Sequence, residues 1–252
     1  MSKIKSILAC DVGNSRISLG CVIDEKVSHV HRLSPDNFVS LGDVLEDVWR
    51  RCPAPALIAA SSVQPEYLAS LESAARRIKQ KVLVVGRDLP LPMETDLPEP
   101  ERIGTDRLCS AAMAYHRLGG PCVVADFGTA VTIDCVNSEG VFLGGAILPG
   151  LRLSAESLAR GTSALPEVKL VKPDWVFGAD TRQAIIGGIV FGARGALREF
   201  VELYATELGV WPEVILTGGD AELIGSDYDI VSAVVPDLCL LGVGLSARDV
   251  RK

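Results

Sequence analysis

The chain lacks the apolar segments that would carry it into or across a membrane. No apolar run is long enough to span a bilayer, because even the stretch AIIGGIVFGA is too short and too rich in glycine. The weakly basic start MSKIKSILACDVG loses its apolar character at Asp11, so it does not predict a signal peptide. We therefore expect no membrane partner.

Disulfide bonds, a zinc site and nucleic-acid binding are also not expected. The seven cysteines are an odd number without a Cys-x-x-Cys pair, which favours reduced thiols and a cytoplasmic location. Acidic residues outnumber basic ones, 32 against 25, for a formal net charge of −7, and no Lys/Arg cluster stands out. Nucleic acid is therefore not an expected partner. A Walker A loop is missing too, so phosphate binding would need another framework.

What the chain does contain is an acidic turn that occurs twice. ACDVGNSRISLG and VADFGTAVTIDC each read as an apolar strand, an Asp-x-Gly turn followed by Asn or Thr, and a second strand. The acids Asp11 and Asp126 lie 115 positions apart in a chain of 252 residues. Repetition at half the chain length indicates a duplicated domain.

Each half opens with short strands and continues with alternating strands and helices. This order predicts an α/β protein with two mixed sheets flanked by helices. We expect residues 1–118 and residues 119–252 to form the two domains, with a cleft between the halves. The proline-rich segment DLPLPMETDLPEPE can be neither helix nor central strand, so it is predicted to be a loop over the cleft or a linker.

The repeated turn has a possible use in phosphate binding. A strand that ends in Asp-x-Gly presents a carboxylate, and glycine permits close approach of the backbone to a ligand. Backbone N–H groups and hydroxyls at the tip can hold phosphate oxygens, while the carboxylate suits a cation, directly or through water. The alternative is an ordinary hairpin with glycine in its turn. A single copy would favour the hairpin, whereas two copies at this offset favour binding.

A third stretch, EVILTGGDAEL, reads as an apolar strand that ends in Thr217, Gly218 and Gly219 before a helix. Glycines at such a turn let a flat ring or a phosphate lie against the backbone, although a plain strand-to-helix loop would look the same. Together, the three stretches resemble the phosphate-1, phosphate-2 and adenosine motifs of the actin-like ATPase and sugar-kinase superfamily.

The stretch ERIGTDRLCSAAMAYHRL predicts a helix that starts near Thr105, which can cap it. Asp106 and Arg107 then fall in the first turn. Asp106 can be read as a favourable partner of the helix dipole and Arg107 as a surface charge. In a functional reading, Asp106 is a base beside a substrate hydroxyl and Arg107 donates to substrate oxygens.

The segments DVGNS, GTDR, DFGTAVTID, GGAILPGLRLSAESLARGTSALP, GADTRQAIIGGI and ILTGG follow one another in the order found in type III pantothenate kinases. The chain resembles this family over essentially its whole length. The resemblance implies duplicated actin-like, ribonuclease H-like domains and a homodimer. It also implies ATP-dependent phosphorylation of pantothenate to 4'-phosphopantothenate, the first step of coenzyme A biosynthesis.

The resemblance also implies roles for individual residues. Asp106 would be the catalytic proton acceptor, and Asp126 would bind a monovalent cation (K⁺ or NH₄⁺). From the charge argument for the acidic turns, Asp11 is expected to hold Mg²⁺ through water. Pantothenate would be bound by Gly104, Thr105, Asp106, Arg107 and Thr181. ATP would be bound by Asp11, Val12, Gly13, Asn14, Ser15, Arg16, Thr129, Gly218 and Gly219.

Two other functions are compatible with the same fold. A nucleotide or polyphosphate phosphatase would use Asp106 to activate water instead of an alcohol. A non-catalytic regulator would bind nucleotide without turnover. A site that had lost its activity would not need all three carboxylates, Asp11, Asp106 and Asp126. The kinase is therefore the leading hypothesis.

Overall fold

The computed structural model describes residues 4–248 and residue 250, which form two compact units. The first comprises the described residues up to Arg117 together with those from Asp237 onward, and the second comprises Leu118–Pro236. The strands of the described chain are β1 (Ser6–Val12), β2 (Ile17–Ile23), β3 (Lys26–Leu33), β4 (Ala56–Ser62), β5 (Val82–Val84), β6 (Cys122–Phe127), β7 (Ala130–Val136), β8 (Phe142–Pro149), β9 (Glu213–Thr217) and β10 (Ala233–Val234). The α-helices are α1 (Leu41–Arg51), α2 (Pro65–Arg77), α3 (Thr105–Leu118), α4 (Leu151–Gly161), α5 (Thr181–Leu208), α6 (Ala221–Gly225) and α7 (Leu238–Ala247), and two 3₁₀ segments lie at Pro35–Ser40 and Pro100–Arg102.

The two units contain sheets of the same design. The first sheet has the order β3-β2-β1-β4-β5 and the second the order β10-β9-β6-β7-β8. In each, the first three strands form an antiparallel meander, and two later strands add in parallel beside the first strand. This arrangement confirms the predicted α/β class with two mixed sheets flanked by helices.

Strand β1 is buried on both faces, which is why it reads as a nearly continuous apolar run. On one face, Leu8 and Cys10 join a core with Leu45 of α1 and Leu71 of α2. On the other side of the sheet, α7 lies against β1, β2 and β4. The central strand is thereby fixed in place, and with it the acidic residue near its end.

Helix α7 packs with the first unit, although the predicted division placed it in the second half. Its sequence LCLLGVGLSA has no charged residue, so the helix needs burial on most sides. A Cβ at Gly242 would overlap the carbonyl oxygen of Cys109 in α3, and one at Gly244 would lie 2.7 Å from Cγ1 of Val22. The two glycines therefore let α7 approach the first unit at backbone distance.

The second unit buries one face of its sheet under α4 and the 28-residue helix α5. Val131 and Ile133 of β7 pack in this core with Val190 and Leu197 of α5. Helix α5 begins where the Asp180 side chain accepts a hydrogen bond from the N–H of Gln183, 2.8 Å away. None of the helices in the described residues has the length and apolar character needed to cross a bilayer.

The proline-rich segment forms no α-helix and no sheet strand, as predicted, apart from the 3₁₀ turn at Pro100–Arg102. All seven cysteines are buried free thiols. The acidic residues of the repeated motif, Asp11 and Asp126, lie within β1 and β6 rather than in the turns that follow. Each is the last but one residue of its strand, so the backbone ladder holds it.

Candidate active site

The first acidic motif lies at the carboxyl end of β1. Asp11 is opposite Ser18 of β2 and Ser61 of β4 in the strand register. Val12 ends the strand, and the loop Gly13, Asn14, Ser15 and Arg16 is closed by the N–H of Gly13, which donates to the carbonyl oxygen of Arg16 at 3.0 Å.

The backbone conformation at position 13 does not require a glycine. Its φ is not in the left-handed region, and a Cβ there would lie 3.5 Å from the carbonyl oxygen of Arg16, which is an ordinary contact. A glycine without a conformational reason leaves room for a ligand to approach the backbone. The phosphate contact of this loop stays a prediction.

The second acidic motif has the same place in the second unit. Asp126 is opposite Thr132 of β7 and Thr217 of β9. Gly218 has a left-handed φ of 96°, and a Cβ there would overlap the Asp126 carboxylate and lie 2.6 Å from the carbonyl oxygen of Phe127. Only glycine fits this position, which brings the Thr217–Gly219 turn directly against Asp126.

A further backbone segment reaches the same end of the second sheet. The N–H of Gly150 donates to the carbonyl oxygen of Thr129 at 3.2 Å, and a Cβ at Gly150 would overlap that oxygen. Gly150 precedes α4, whose N-terminus has no side-chain cap. Uncapped N–H groups at a helix start favour an anion. Gly150 has no predicted role from sequence, because its importance depends on a contact with a residue 21 positions away.

The G-T-D-R stretch lies at the carboxyl end of β4, where Ser61 is opposite Asp11 of β1. Helix α3 starts at Thr105 as predicted, but the Thr105 hydroxyl contacts β4 rather than capping its own helix. Thr105 Oγ1 is 2.9 Å from Oγ of Ser61, and the N–H of Ser62 donates to it at 3.1 Å. The start of α3 is thus tied to the strand end that faces Asp11.

Asp106 occupies a confined position in the first turn of α3. One carboxylate oxygen accepts the N–H of Arg107 at 2.9 Å, and a Cβ at Gly104 would overlap that oxygen. Burial raises the pKa of Asp106 above its usual range, although the N–H and the charge of Arg107 oppose this shift. Gly104 therefore serves to make room for the carboxylate.

Asp11 and Asp106 influence the same thiol. Burial raises the pKa of Cys109, one turn further along α3, and the negative charges of Asp11 and Asp106 raise it further, against the hydrogen bond with Ser246. The first unit therefore brings together the candidate cation ligand Asp11 and the candidate base Asp106, together with Gly104, Thr105 and Arg107.

Thr181 is the first residue of α5 in the second unit. It is exposed and lines a cavity of about 590 Å³ whose other walls are mainly apolar side chains of β7, α4 and α5. Within the second unit, the predicted ATP residue Thr129 lies between β6 and β7, and the predicted ATP residues Gly218 and Gly219 follow β9.

The described residues contain no group of three or more His, Cys, Asp or Glu side chains that could hold a metal by themselves. Mg²⁺ bound with a triphosphate needs few protein ligands, because phosphates and waters complete its shell. A single carboxylate at a strand end, Asp11, fits that demand. Asp126 beside the carbonyl oxygens of its surrounding turns offers the hard oxygen donors that suit K⁺.

Comparisons with known proteins point in one direction. Residues 7–203 match the family model described as "Type III pantothenate kinase". Proteins of that description from Agathobacter rectalis and Dehalococcoides mccartyi are each 32% identical to the chain; the alignments cover 96% of both proteins in the first case, and 95% of this chain and 96% of the relative in the second.

Among solved structures, the fold is similar to a Baf family protein of Campylobacter jejuni (TM-score 0.61, 20% identity, 96% of each chain). It is also similar to component A of the (R)-2-hydroxyglutaryl-CoA dehydratase of Acidaminococcus fermentans (TM-score 0.55, 17% identity, 97% of this chain and 98% of that one). At these identities, the similarity shows the actin-like fold alone.

Proposed function

The chain belongs to the type III pantothenate kinase family, and we propose on that premise that it transfers the γ-phosphoryl group of ATP to the primary alcohol of pantothenate. The product, 4'-phosphopantothenate, starts coenzyme A biosynthesis. The observation that carries the proposal beyond family membership is the confined carboxylate of Asp106, next to Gly104 and at the sheet edge of Asp11.

Asp106 is proposed to accept the proton of the pantothenate alcohol. An alcohol holds its proton tightly at neutral pH, so a positioned carboxylate orients the hydroxyl and takes the proton as the new phosphorus–oxygen bond forms. The raised pKa makes Asp106 a stronger base than an exposed aspartate. The transition state of phosphoryl transfer is loose, so most of the acceleration should come from positioning and charge neutralisation.

The two acidic motifs, one in each unit, are both proposed to bind ATP, as the resemblance implies. The loop Val12–Arg16 and the turns at Thr129, Gly218 and Gly219 would supply backbone N–H groups to the phosphates. Asp11 would hold Mg²⁺ through water, which neutralises phosphate charge when it is bound. Asp126 would hold K⁺ or NH₄⁺ for the same purpose.

Pantothenate is proposed to bind at the start of α3. Gly104, Thr105 and Arg107 surround Asp106 there, and Arg107 can donate to substrate oxygens. Thr181 is proposed as a further contact. Its support is the family resemblance and its exposed place at the start of α5.

A coupled assay of ADP formation tests the function. We expect turnover that requires pantothenate, and an Asp106→Asn variant whose kcat is about 10² to 10⁴ times lower. The control is Asp47→Asn, an exposed carboxylate of α1 that pairs with Arg51, with kcat unchanged. Near-normal turnover by folded Asp106→Asn protein would remove the proposed base. Exchange of K⁺ for Na⁺ in the same assay should slow turnover, and indifference would contradict the role of Asp126.

The same assay distinguishes the two alternatives. ADP formation without pantothenate would indicate a phosphatase in which Asp106 activates water. Binding of ATP without any turnover would indicate a regulator.

We also propose a homodimer in the cytoplasm. The exposed apolar side chains of the second unit support self-association, and the seven buried free thiols fit a reducing compartment. Light scattering of the purified protein measures the first property, and cell fractionation measures the second.

A further inference from the structure

Ser61 is a fully buried polar residue near the carboxyl end of β4, in a strand whose preceding residues are apolar. Its register partner in β1 is Asp11. Its hydroxyl lies 2.9 Å from Oγ1 of Thr105, and this contact joins residues 44 positions apart. A buried hydroxyl at this place needs a hydrogen-bond partner, and Thr105 provides one.

The contact reaches the candidate base through one peptide unit. Thr105 is the first residue of α3 and precedes Asp106 directly. Its hydroxyl is held from the sheet by the Ser61 hydroxyl and by the N–H of Ser62, at 3.1 Å. These bonds fix the first turn of α3 against β4, and thus fix where the Asp106 carboxylate lies relative to Asp11.

We propose that Ser61 is a positioning residue for phosphoryl transfer, which acts through Thr105 to hold Asp106 in the place where it meets the substrate alcohol. The inference rests on the proposed function of Asp106. Ser61 is fully buried, so it is proposed to act through its contact with Thr105 and not on the substrate itself. Its removal should misplace the base without removing it, because the N–H of Ser62 still holds Thr105.

The expected result for Ser61→Ala is a kcat that is about 10 to 100 times lower, the range for a small displacement of a reacting group. The KM for ATP should stay the same, because the hydrogen bond that closes the loop Gly13–Arg16 in the same unit does not involve Ser61. In a double-mutant cycle, Ser61→Ala should add nothing to the loss caused by Thr105→Val, since both remove the same bond.

The matched control is Ser6→Ala. Ser6 is also a buried serine of the first sheet, and its hydroxyl donates to the carbonyl oxygen of Pro53 at 2.7 Å, at the opposite end of β1. Ser6→Ala should lower the unfolding midpoint in urea as much as Ser61→Ala does, but it should leave kcat unchanged. A general loss of stability would move both variants alike in both measurements.

The outcomes separate this inference from the proposed function. If Asp106→Asn is inactive while Ser61→Ala keeps native kcat, Ser61 does not position the base. The same conclusion follows if the effect of Ser61→Ala on kcat adds fully to the effect of Thr105→Val. If Asp106→Asn retains native turnover, the function and the inference fall together. Should Ser61→Ala not fold, Thr105→Val breaks the same bond from the helix side and must show the loss of kcat, and native kcat there overturns the inference.

Discussion

At the scale of single residues, the candidate base lies at a position where its charge lowers the free energy of unfolding. Asp106 has a raised pKa because its carboxylate is buried, so between the unfolded and the folded pKa the native protein binds more protons than the unfolded chain. The free energy of unfolding therefore decreases as the pH rises through that interval. At neutral pH the ionised carboxylate is a cost to stability.

Asp106→Asn is thus expected to be more stable than the native protein at pH 7. Asparagine carries no charge, and its Oδ1 can still accept the N–H of Arg107. The gain should shrink at about pH 4, where an unperturbed aspartate is half protonated. Urea unfolding at both pH values measures it.

Asp47→Asn provides a control of opposite sign for this measurement. The hydrogen bond from Arg51 lowers the pKa of Asp47, so the folded protein favours the charged carboxylate. Removal of this charge should slightly lower the free energy of unfolding at pH 7. An Asp106→Asn protein that is less stable than the native one at pH 7 would contradict the assignment of burial as the dominant influence.

At the scale of elements, α7 and α3 are in backbone contact. A Cβ at Gly242 would overlap the carbonyl oxygen of Cys109 and lie 2.8 Å from its Cα. Gly242→Ala should therefore lower the free energy of unfolding by at least about 1–3 kcal/mol, the usual cost of overpacking. The control, Gly195→Ala in α5, has open space around its Cβ and should gain about 0.5–1 kcal/mol from helix propensity. Equal unfolding midpoints for the two variants would show that α7 is not held this closely.

The same contact explains what the sequence could and could not predict. Apolar runs and turn residues predicted the short strands that open each half and the helix start at Thr105, because these depend on neighbours in the chain. The place of α7 depends on two glycines that meet Cys109 and Val22 from far along the sequence. Ser61 and Gly150 were missed for the same reason, whereas Asp11 and Asp126 were found because the motif repeats.

At the scale of the whole molecule, apolar exposure is distributed unequally. Among the described residues, every large apolar side chain found exposed, apart from Val39, lies in the second unit. Val176 and Phe177 are 79% and 88% exposed, and Ile147 is 65% exposed on the edge strand β8. A second copy of the chain that packed on these side chains would remove them from water.

We therefore expect light scattering to give twice the chain mass of 26.8 kDa. Phe177→Asp should shift the mass toward the monomer, because it puts a charge into an apolar contact, and it should not impair folding of the monomer, because the side chain is exposed. Val39→Asp is the matched control, since Val39 is 95% exposed but lies in the first unit, and it should leave the mass unchanged. A native protein with the mass of one chain, or a Phe177→Asp protein with the native mass, would exclude association through this part of the surface.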